Sequence, residues 1–285
     1  MTPIKEKIDI TVIIITHNEE KNLERCIGSI RGFVKDIFVL DSNSTDGTKK
    51  ILQKNKIRFE IKKFKNYSNQ FNSAIKLSKA KTTWLMRLDA DEYVEKKFFI
   101  NLKKKINKIS LDINGIYINR RYIFFGKEIR FGGTFPHKSL RIWRRNKGKC
   151  NNNLMDEKII TKPKQIDVNI DIFDHNKDSF IKWKKKHIKY AYYESKNYYK
   201  NINYKKNSKD KIANKSYFKK FEIYYQFPIF IRPILLFFYN YFLKLSFLDG
   251  YVGLKYCFWQ TLWFRMLVDI NIFKYKKYIM QNIIK

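Results

Sequence analysis

Along its first half the chain alternates between short runs of β-branched residues and segments with apolar positions three and four apart. "IDITVIIIT" ends in the polar turn Thr16-His17-Asn18, and a helix follows with Leu23, Cys26, Ile27 and Ile30 on one face. Asn18 is read as its N-cap, and Glu19 and Glu20 suit the positive end of its dipole. "DIFVLDSNSTDGTKKILQ" repeats the plan: a strand to Leu40, a turn over Asp41 to Asp46, and a helix from about Gly47. A short strand (57–61), a helix near 69–79 with Phe71, Ala74, Ile75 and Ser78 inward, a strand (83–88) and a basic amphipathic helix (about 95–107) complete the series. Near-continuous apolar strands alternating with helices predict an α/β fold, a mostly parallel sheet covered by helices on both faces.

In such sheets ligands sit beyond the carboxyl ends of the strands. The polar groups His17-Asn18-Glu19, Asp41 and Asp89-Ala90-Asp91 all fall at predicted strand C-termini and are expected to share one crevice. The last of these, in "WLMRLDADE", crowds Asp89, Asp91 and Glu92 together, which costs free energy unless something positive binds them. Two carboxylates one residue apart at a sheet mouth suit a hard divalent cation that also grips a diphosphate. A solvated acidic turn is the plainer alternative.

Charge sharpens the question. The 285 residues carry 60 Lys and Arg against 26 Asp and Glu, a formal charge of +34. That field attracts polyanions: nucleic acid, anionic lipid head groups or diphosphates. The three cysteines, Cys26, Cys150 and Cys257, are scattered, which argues against a disulfide framework or structural zinc and fits a reducing compartment. The apolar run Ile10 to Ile15 is too short for a secretory signal and reads as a core strand. No stretch reaches the ~18 charge-free apolar residues of a spanning helix.

"VIIITHNEEKNLERCIGSI", "VLDSNSTDGT", Gln70 to Ala74 ("QFNSA") and "WLMRLDADE" together resemble family 2 glycosyltransferases of the GT-A fold. "RRYIFFGKEIRFGG", "SLRIWRR", "LMDEKI" and "FLDGYVGLKYCFWQTLWFRMLVD" resemble the bacterial lipopolysaccharide-core and polysaccharide β-glucosyltransferase branch. The resemblance covers about residues 9–160 and resumes near 225–270. It implies that Thr16, Asn18, Glu19, Asp41, Gln70, Asn72 and Asp89 line a nucleotide-sugar site. It implies a divalent metal, Mg²⁺ or Mn²⁺, at Asp91 and Asp89, with Asp91 the likelier direct ligand and His175 a further candidate. The acidic motif would supply the general base, Asp156 or Glu157. Its order here, Asp then Glu, reverses the commoner one and leaves that choice open.

The chemistry agrees with that set. Sugar transfer from a nucleoside diphosphate places negative charge on the departing diphosphate, which a metal stabilises, while a carboxylate takes the acceptor hydroxyl's proton. Direct attack opposite the leaving group inverts the anomeric centre. Arg141, Arg144 and Arg145 could hold phosphate, though paired arginines on an edge strand are usually solvated. His137 reads as an acceptor-loop residue, and Gly132-Gly133 as a tight turn between strands.

The expected layout is a GT-A catalytic domain over 1–175 and a basic, aromatic helical region over 176–285. Residues 176–220 hold fifteen lysines and three acids among tyrosines, a mixture that single-stranded nucleic acid also binds. The Phe-, Tyr- and Trp-rich stretch after Phe227 favours interfacial helices on a leaflet, or else a buried helical hairpin. The partners expected are a nucleotide-sugar donor, a lipopolysaccharide or lipid-linked acceptor and an anionic membrane surface at the cytoplasmic face of the inner membrane, with no nucleic acid. A nucleic-acid-binding protein would leave the clustered carboxylates unexplained. A sugar nucleotidyltransferase would open with a glycine-rich loop where this chain has Thr-His-Asn-Glu-Glu.

Overall fold

The structure, a computed structural model, describes residues 6–152, 157–207 and 223–283, with side chains described through 199 and from 223 to 275. The described residues divide into two compact units. One holds the residues up to Glu128 together with Thr134–Lys177, and the other holds Ile129–Gly133 and those from Asp178 onward.

In the first unit nine strands form one sheet. They are β1 (Ile8–Thr16), β2 (Val34–Asp41), β3 (Arg58–Ile61), β4 (Trp84–Arg87), β5 (Glu92–Tyr93), β6 (Gly115–Phe124), β7 (Lys127–Ile129), β8 (His137–Arg144) and β11 (Gln165–Asp174). A separate two-stranded ribbon pairs β9 (Gly148–Cys150) with β10 (Ile159–Thr161). The sheet order is β3-β2-β1-β4-β8-β6-β11-β5, with β7 on β6. Strands β3, β2, β1 and β4 run parallel. β8 enters antiparallel between β4 and β6, so it is a central strand and not the edge expected for its arginines.

Period-two alternation distributes β1 between two cores. Ile8, Ile10, Val12 and Ile14 face one side, with Leu23, Cys26, Ile27 and Ile30 of helix α1 (Leu23–Ile30), Leu52 of α2 (Thr48–Lys54) and Phe98, Phe99 and Leu102 of α4 (Lys96–Ile106). Ile13 faces the other, with Phe38, Leu40 and Phe71 and Ala74 of α3 (Tyr67–Leu77). Both sheet faces are thus covered, as the apolar strands require.

Asn18 is not the cap of α1. It sits at φ 58°, and the helix begins five residues later, at Leu23, with Asn22 in the cap position. Asn is tolerated in this left-handed region because its short amide bonds locally, and here Asn18 Oδ1 accepts from the Thr45 amide at 2.8 Å.

The second unit is helical: α5 (Phe180–Asn207), α6 (Ile231–Phe238), a π-helical turn (Tyr239–Leu243), a 3₁₀ turn (Ser246–Asp249), α7 (Gly250–Cys257), a second π-helical turn (Phe258–Trp263) and α8 (Phe264–Ile283). Ala191 of α5 packs with Phe264, Val268 and Ile272 of α8, and Tyr199 donates to the Ile272 carbonyl at 2.7 Å. Arg265 pairs with Glu194 across the same two helices. Gly253 is required by space: a Cβ there would lie 2.2 Å from the Ser246 carbonyl oxygen.

Candidate active site

Three neighbouring strands, β2, β1 and β4, end together, because β1 lies between the other two and all run the same way. Thr16 and Asp41 are register partners at the ends of β1 and β2, and Thr16 Oγ1 donates to Asp41 Oδ1 at 2.9 Å. Asp41 is fully buried; Ser44 supplies its amide to Oδ2 at 2.7 Å and its hydroxyl to Oδ1 at 2.5 Å. Both carboxylate oxygens therefore organise the turn after β2. The loop after β1 is laced to it by further bonds: Asn18 N to Ser44 Oγ, Glu19 N to Thr48 Oγ1 and Gly47 N to Glu20 Oε2, each 2.8 Å. Glu19 Oε2 accepts from Asn22 at 2.8 Å.

Gln70 and Asn72 come from α3. The Gln70 amide donates to Ser42 Oγ and to the Lys62 carbonyl, both at 3.0 Å. Its Oε1 is buried with no partner among the described residues, the kind of orphan acceptor that folded proteins rarely leave unless something else fills the role. Asn72 instead mimics a strand neighbour: it accepts from Cys150 N and donates to Cys150 O, both at 2.9 Å. Its amide is committed to holding β9, whereas the family resemblance would aim it at a sugar.

The carboxylates after β4 meet arginines from three strands. Arg87 grips Asp89 with two bonds of 2.9 and 3.1 Å, and Arg141 on β8 reaches Asp89 Oδ2 at 3.2 Å and Glu92 Oε1 at 2.6 Å. Arg120 on β6 lies 3.7 Å from Glu92 and donates through both Nε and Nη2 to Asp174 Oδ2. Tyr67 adds its hydroxyl to Asp89 Oδ1 at 3.0 Å, and Glu92 Oε2 accepts the Asp89 amide at 2.9 Å. Burial alone would raise the Asp89 carboxyl, but Arg87 and Arg141 outweigh it and hold the group well below the usual carboxylate range. Burial pushes Glu92 the other way, upward, against the pull of Arg141.

These arginines answer the crowding of acids, and none of the three had been assigned that role from the sequence. They come from strands distant in the chain; only the burial of Arg141 in a central strand reveals the link. Arg144 and Arg145, by contrast, donate to the backbone carbonyls of Ile113, Ser110 and Ala80. Arg144 is the register partner of Trp84, at the start of β4 and so at the other end of that strand from the acidic loop.

Asp91 is differently placed. It is half-buried; its Oδ2 accepts from Asn176 at 3.0 Å, and its backbone carbonyl accepts from Arg25 and from the His175 amide, both at 3.1 Å. Arg25 also donates to His175 Nδ1 at 2.8 Å. With Nδ1 accepting, the neutral ring carries its proton on Nε2, so in this arrangement neither nitrogen has a lone pair for a metal. Burial and the neighbouring Arg25 both lower the His175 pKa, which favours that neutral ring. A metal role for His175 requires Arg25 to release it.

Among the described residues no three His, Cys, Asp or Glu side chains converge on a metal-sized site. The donors present suit a cation that takes one protein carboxylate and completes its shell with phosphate and water, the habit of Mg²⁺. Asp91 fits that part; Asp89, enclosed by two arginines, does not. Of the base candidates, Asp156 lies outside the described residues. Glu157 is half-buried, and its backbone carbonyl accepts from Arg87 at 3.1 Å, which brings the acidic motif beside the same arginine that holds Asp89. His137 opens β8, exposed, in register with Arg120.

The chain is similar to known proteins over parts of its length. Over 148 residues the chain is 30% identical to the lipopolysaccharide core biosynthesis glycosyltransferase LpsC of Rhizobium meliloti, covering 50% of this chain and 53% of that protein. It is 34% identical over 103 residues to the glycosyltransferase SunS of Bacillus subtilis, covering 35% and 23%. The chain thus spans about half the length, or less, of these relatives. Among solved structures, S. aureus TarS 1-349 in complex with UDP-GlcNAc aligns with a TM-score of 0.37 and 21% identity over 48% of this chain and 45% of that one. Glucosyl-3-phosphoglycerate synthase of Mycobacterium tuberculosis, with Mn²⁺ and UDP-glucose, gives 0.33 and 20% over 40% and 43%. The sequence model of glycosyl transferase family 2 matches residues 11–157, from within β1 to the acidic motif, and the chain belongs to that family.

Proposed function

We propose that the protein transfers a sugar, with inversion, from a nucleotide donor of the UDP-hexose type to a lipopolysaccharide core or lipid-linked saccharide. It would act on the cytoplasmic face of the inner membrane, held there by its helical C-terminal region. The observation that carries the reading is the meeting of Thr16, Asp41 and the Asp89–Asp91 loop at adjacent strand ends inside the family 2 region. The name of the rhizobial relative supports a lipopolysaccharide-core acceptor.

Asp91 would hold a divalent cation, which when bound supplies charge stabilisation to the departing diphosphate. The chain's own residues do the rest. Arg87, Arg141 and Tyr67 fix Asp89 and so set the course of the loop that carries Asp91. The turns after β1 and β2, tied by Thr16, Asn18, Ser44 and Asp41, shape the nucleotide pocket, and Gln70 Oε1 offers it an acceptor. Asp156 or Glu157 takes the proton of the attacking hydroxyl.

The test is a panel of nucleotide sugars scored for UDP release, with Mg²⁺, Mn²⁺ or chelator, on wild type, Asp91→Asn, Asp156→Asn and Glu157→Gln. The reading expects metal-dependent release from a UDP-hexose, near-complete loss in Asp91→Asn, and a fall of ~10²-fold or more in kcat for one of the other two. Turnover unaffected by chelator and by Asp91→Asn would remove the metal role. Wild-type turnover in both remaining variants would show the acidic motif to be misassigned.

A further inference from the structure

Between Ile231 and Phe258 the second unit is inverted relative to a surface made for water. Four charged residues occur there: Arg232, Lys244, Asp249 and Lys255. Arg232 and Asp249 are inside. Arg232, 3% exposed, pairs with the fully buried Asp269, and Asp249 accepts the amides of Arg130 and Phe131, both at 3.0 Å. Ser246 is buried as well. What faces outward is apolar. Ile231, Leu235, Phe238 and Phe242 recur at helical spacing along α6 and the turn after it, each about half exposed, and Tyr251 and Leu254 continue the pattern on α7. A helix ordinarily buries such a stripe, and large exposed apolar patches mark interaction surfaces.

Length decides how such a surface can meet a bilayer. The arm from Ile231 to Leu243 is thirteen residues, about 20 Å at 1.5 Å per residue, against a hydrocarbon core of ~30 Å. No single described helix is long and apolar enough to cross; Ile231–Leu243 and Ser246–Tyr275 qualify only as a pair, bent by 69°. The exposed charge at the bend is Lys244, and Lys255 lies 4.4 Å from the Tyr251 ring, both of the sign that anionic head groups attract.

We infer that the Ile231–Phe258 face is a shallow, bent insertion element whose partner is one leaflet of an anionic membrane, entered from one side and not crossed. This rests on the membrane-associated reading above and names the surface responsible. Burying charges inside and leaving aliphatic and aromatic side chains outside is unfavourable in water and favourable in a leaflet, where the lysines sit at head-group depth.

The experiment uses the full chain with vesicles of phosphatidylcholine alone or with phosphatidylglycerol. Wild type should bind the anionic vesicles, with a part that moderate salt does not remove. Leu235→Glu with Phe238→Glu changes two exposed side chains, so thermal unfolding should stay as in wild type while vesicle affinity falls at least ~100-fold, about tenfold or more per buried apolar side chain lost. Lys244→Glu with Lys255→Glu should keep the salt-resistant part and weaken the preference for anionic lipid, the remainder of which comes from the other basic residues of the chain. Phe238→Trp should be quenched by bromines on the upper acyl chain of the outer leaflet. Wild-type vesicle binding by the Leu235/Phe238 variant would overturn the proposal. So would a wild-type dimer that the same variant makes monomeric without any vesicle binding, since the face would then belong to a second copy. UDP release from donor alone is read in parallel and should be equal in all variants; its absence from every protein would count against the catalytic reading and leave the vesicle result standing.

Discussion

Arg141 donates to Asp89 Oδ2 at 3.2 Å across 52 residues of sequence, and that contact separates the two aspartates of the acidic pair. Asp89 belongs to a cluster in which Arg87, Arg141 and Arg120 offset Asp89, Glu92 and Asp174. Asp91 accepts instead from Asn176 and, through its backbone, ties the loop to Arg25 and His175. One residue of the pair is built into the frame, and the other is carried by it.

The two amide variants should therefore differ in kind. Asp89→Asn leaves Arg87 and Arg141 short of a counter-charge. It should cost about 3 kcal/mol, the low end for breaking a buried pair, because 27% of the Asp89 side chain remains exposed. Asp91→Asn should leave the denaturant midpoint nearly unchanged while abolishing transfer. Equal stability of the two variants in urea unfolding would show that the arginine cluster does not hold the loop.

Arg141 touches Asp89 and Glu92 together, so its loss should be felt through both. Arg141→Met removes the one group that bridges the two carboxylates, leaving Asp89 to Arg87 and Glu92 to Arg120 3.7 Å away. Combining it with Glu92→Gln removes one of the like charges, and the double variant should recover ~1–3 kcal/mol relative to the sum of the single changes, the range for groups in one network. Arg141→Lys cannot make both contacts with one ammonium and should fall between wild type and Arg141→Met. A double variant whose cost equals that sum would mean the contacts are independent.

Acid should expose the same cluster. The Asp89 carboxyl is held well below its ordinary value near 3.8, so its contribution is fully present above about pH 4 and is lost as pH falls further. Below that value wild type should lose up to ~1.4 kcal/mol per pH unit more steeply than Asp89→Asn. The two stability curves should converge towards low pH. Parallel curves between pH 5 and 2, followed by fluorescence in denaturant, would place the acid sensitivity elsewhere.

The contrast between Asp89 and Asp91 also marks how far the sequence could be read. Strands such as β1 and helices such as α1 and α4 were legible because their apolar periods are local, and the inward residues Leu23, Cys26, Ile27 and Ile30 are all buried as expected. The polar strand ends were legible for the same reason. What the chain did not disclose was long-range: β8 inserted antiparallel beside β4, which turns Arg141 from a surface residue into the partner of two acids. Asn18 was misread because a cap and a left-handed turn draw on the same short amide side chain. The pairing of Asn72 with the Cys150 backbone was not legible either, because that partner lies 78 residues further on.

The Arg232–Asp269 pair offers a test of what the buried charges in the second unit are for. Asp269 is fully buried, receives Arg232 through Nε at 2.9 and 3.1 Å, and accepts the Phe230 amide at 2.9 Å. Arg232 also lies 4.3 Å from the Tyr225 ring centre. Removing one partner strands a charge in a dry site, so Asp269→Leu alone should cost ~3–5 kcal/mol. Removing both, as Arg232→Met with Asp269→Leu, trades two desolvated ions for apolar groups and should recover most of that. Recovery should stop ~1–3 kcal/mol short, because the Phe230 amide loses its acceptor in either case, and Phe230 sits at φ 69°, a conformation that its bond to Asp269 helps hold. Thermal unfolding of the three proteins in the same detergent measures this directly. If the double variant is as unstable as Asp269→Leu, the ion pair is not the source of the cost, and the buried amide contact with Phe230 carries it instead.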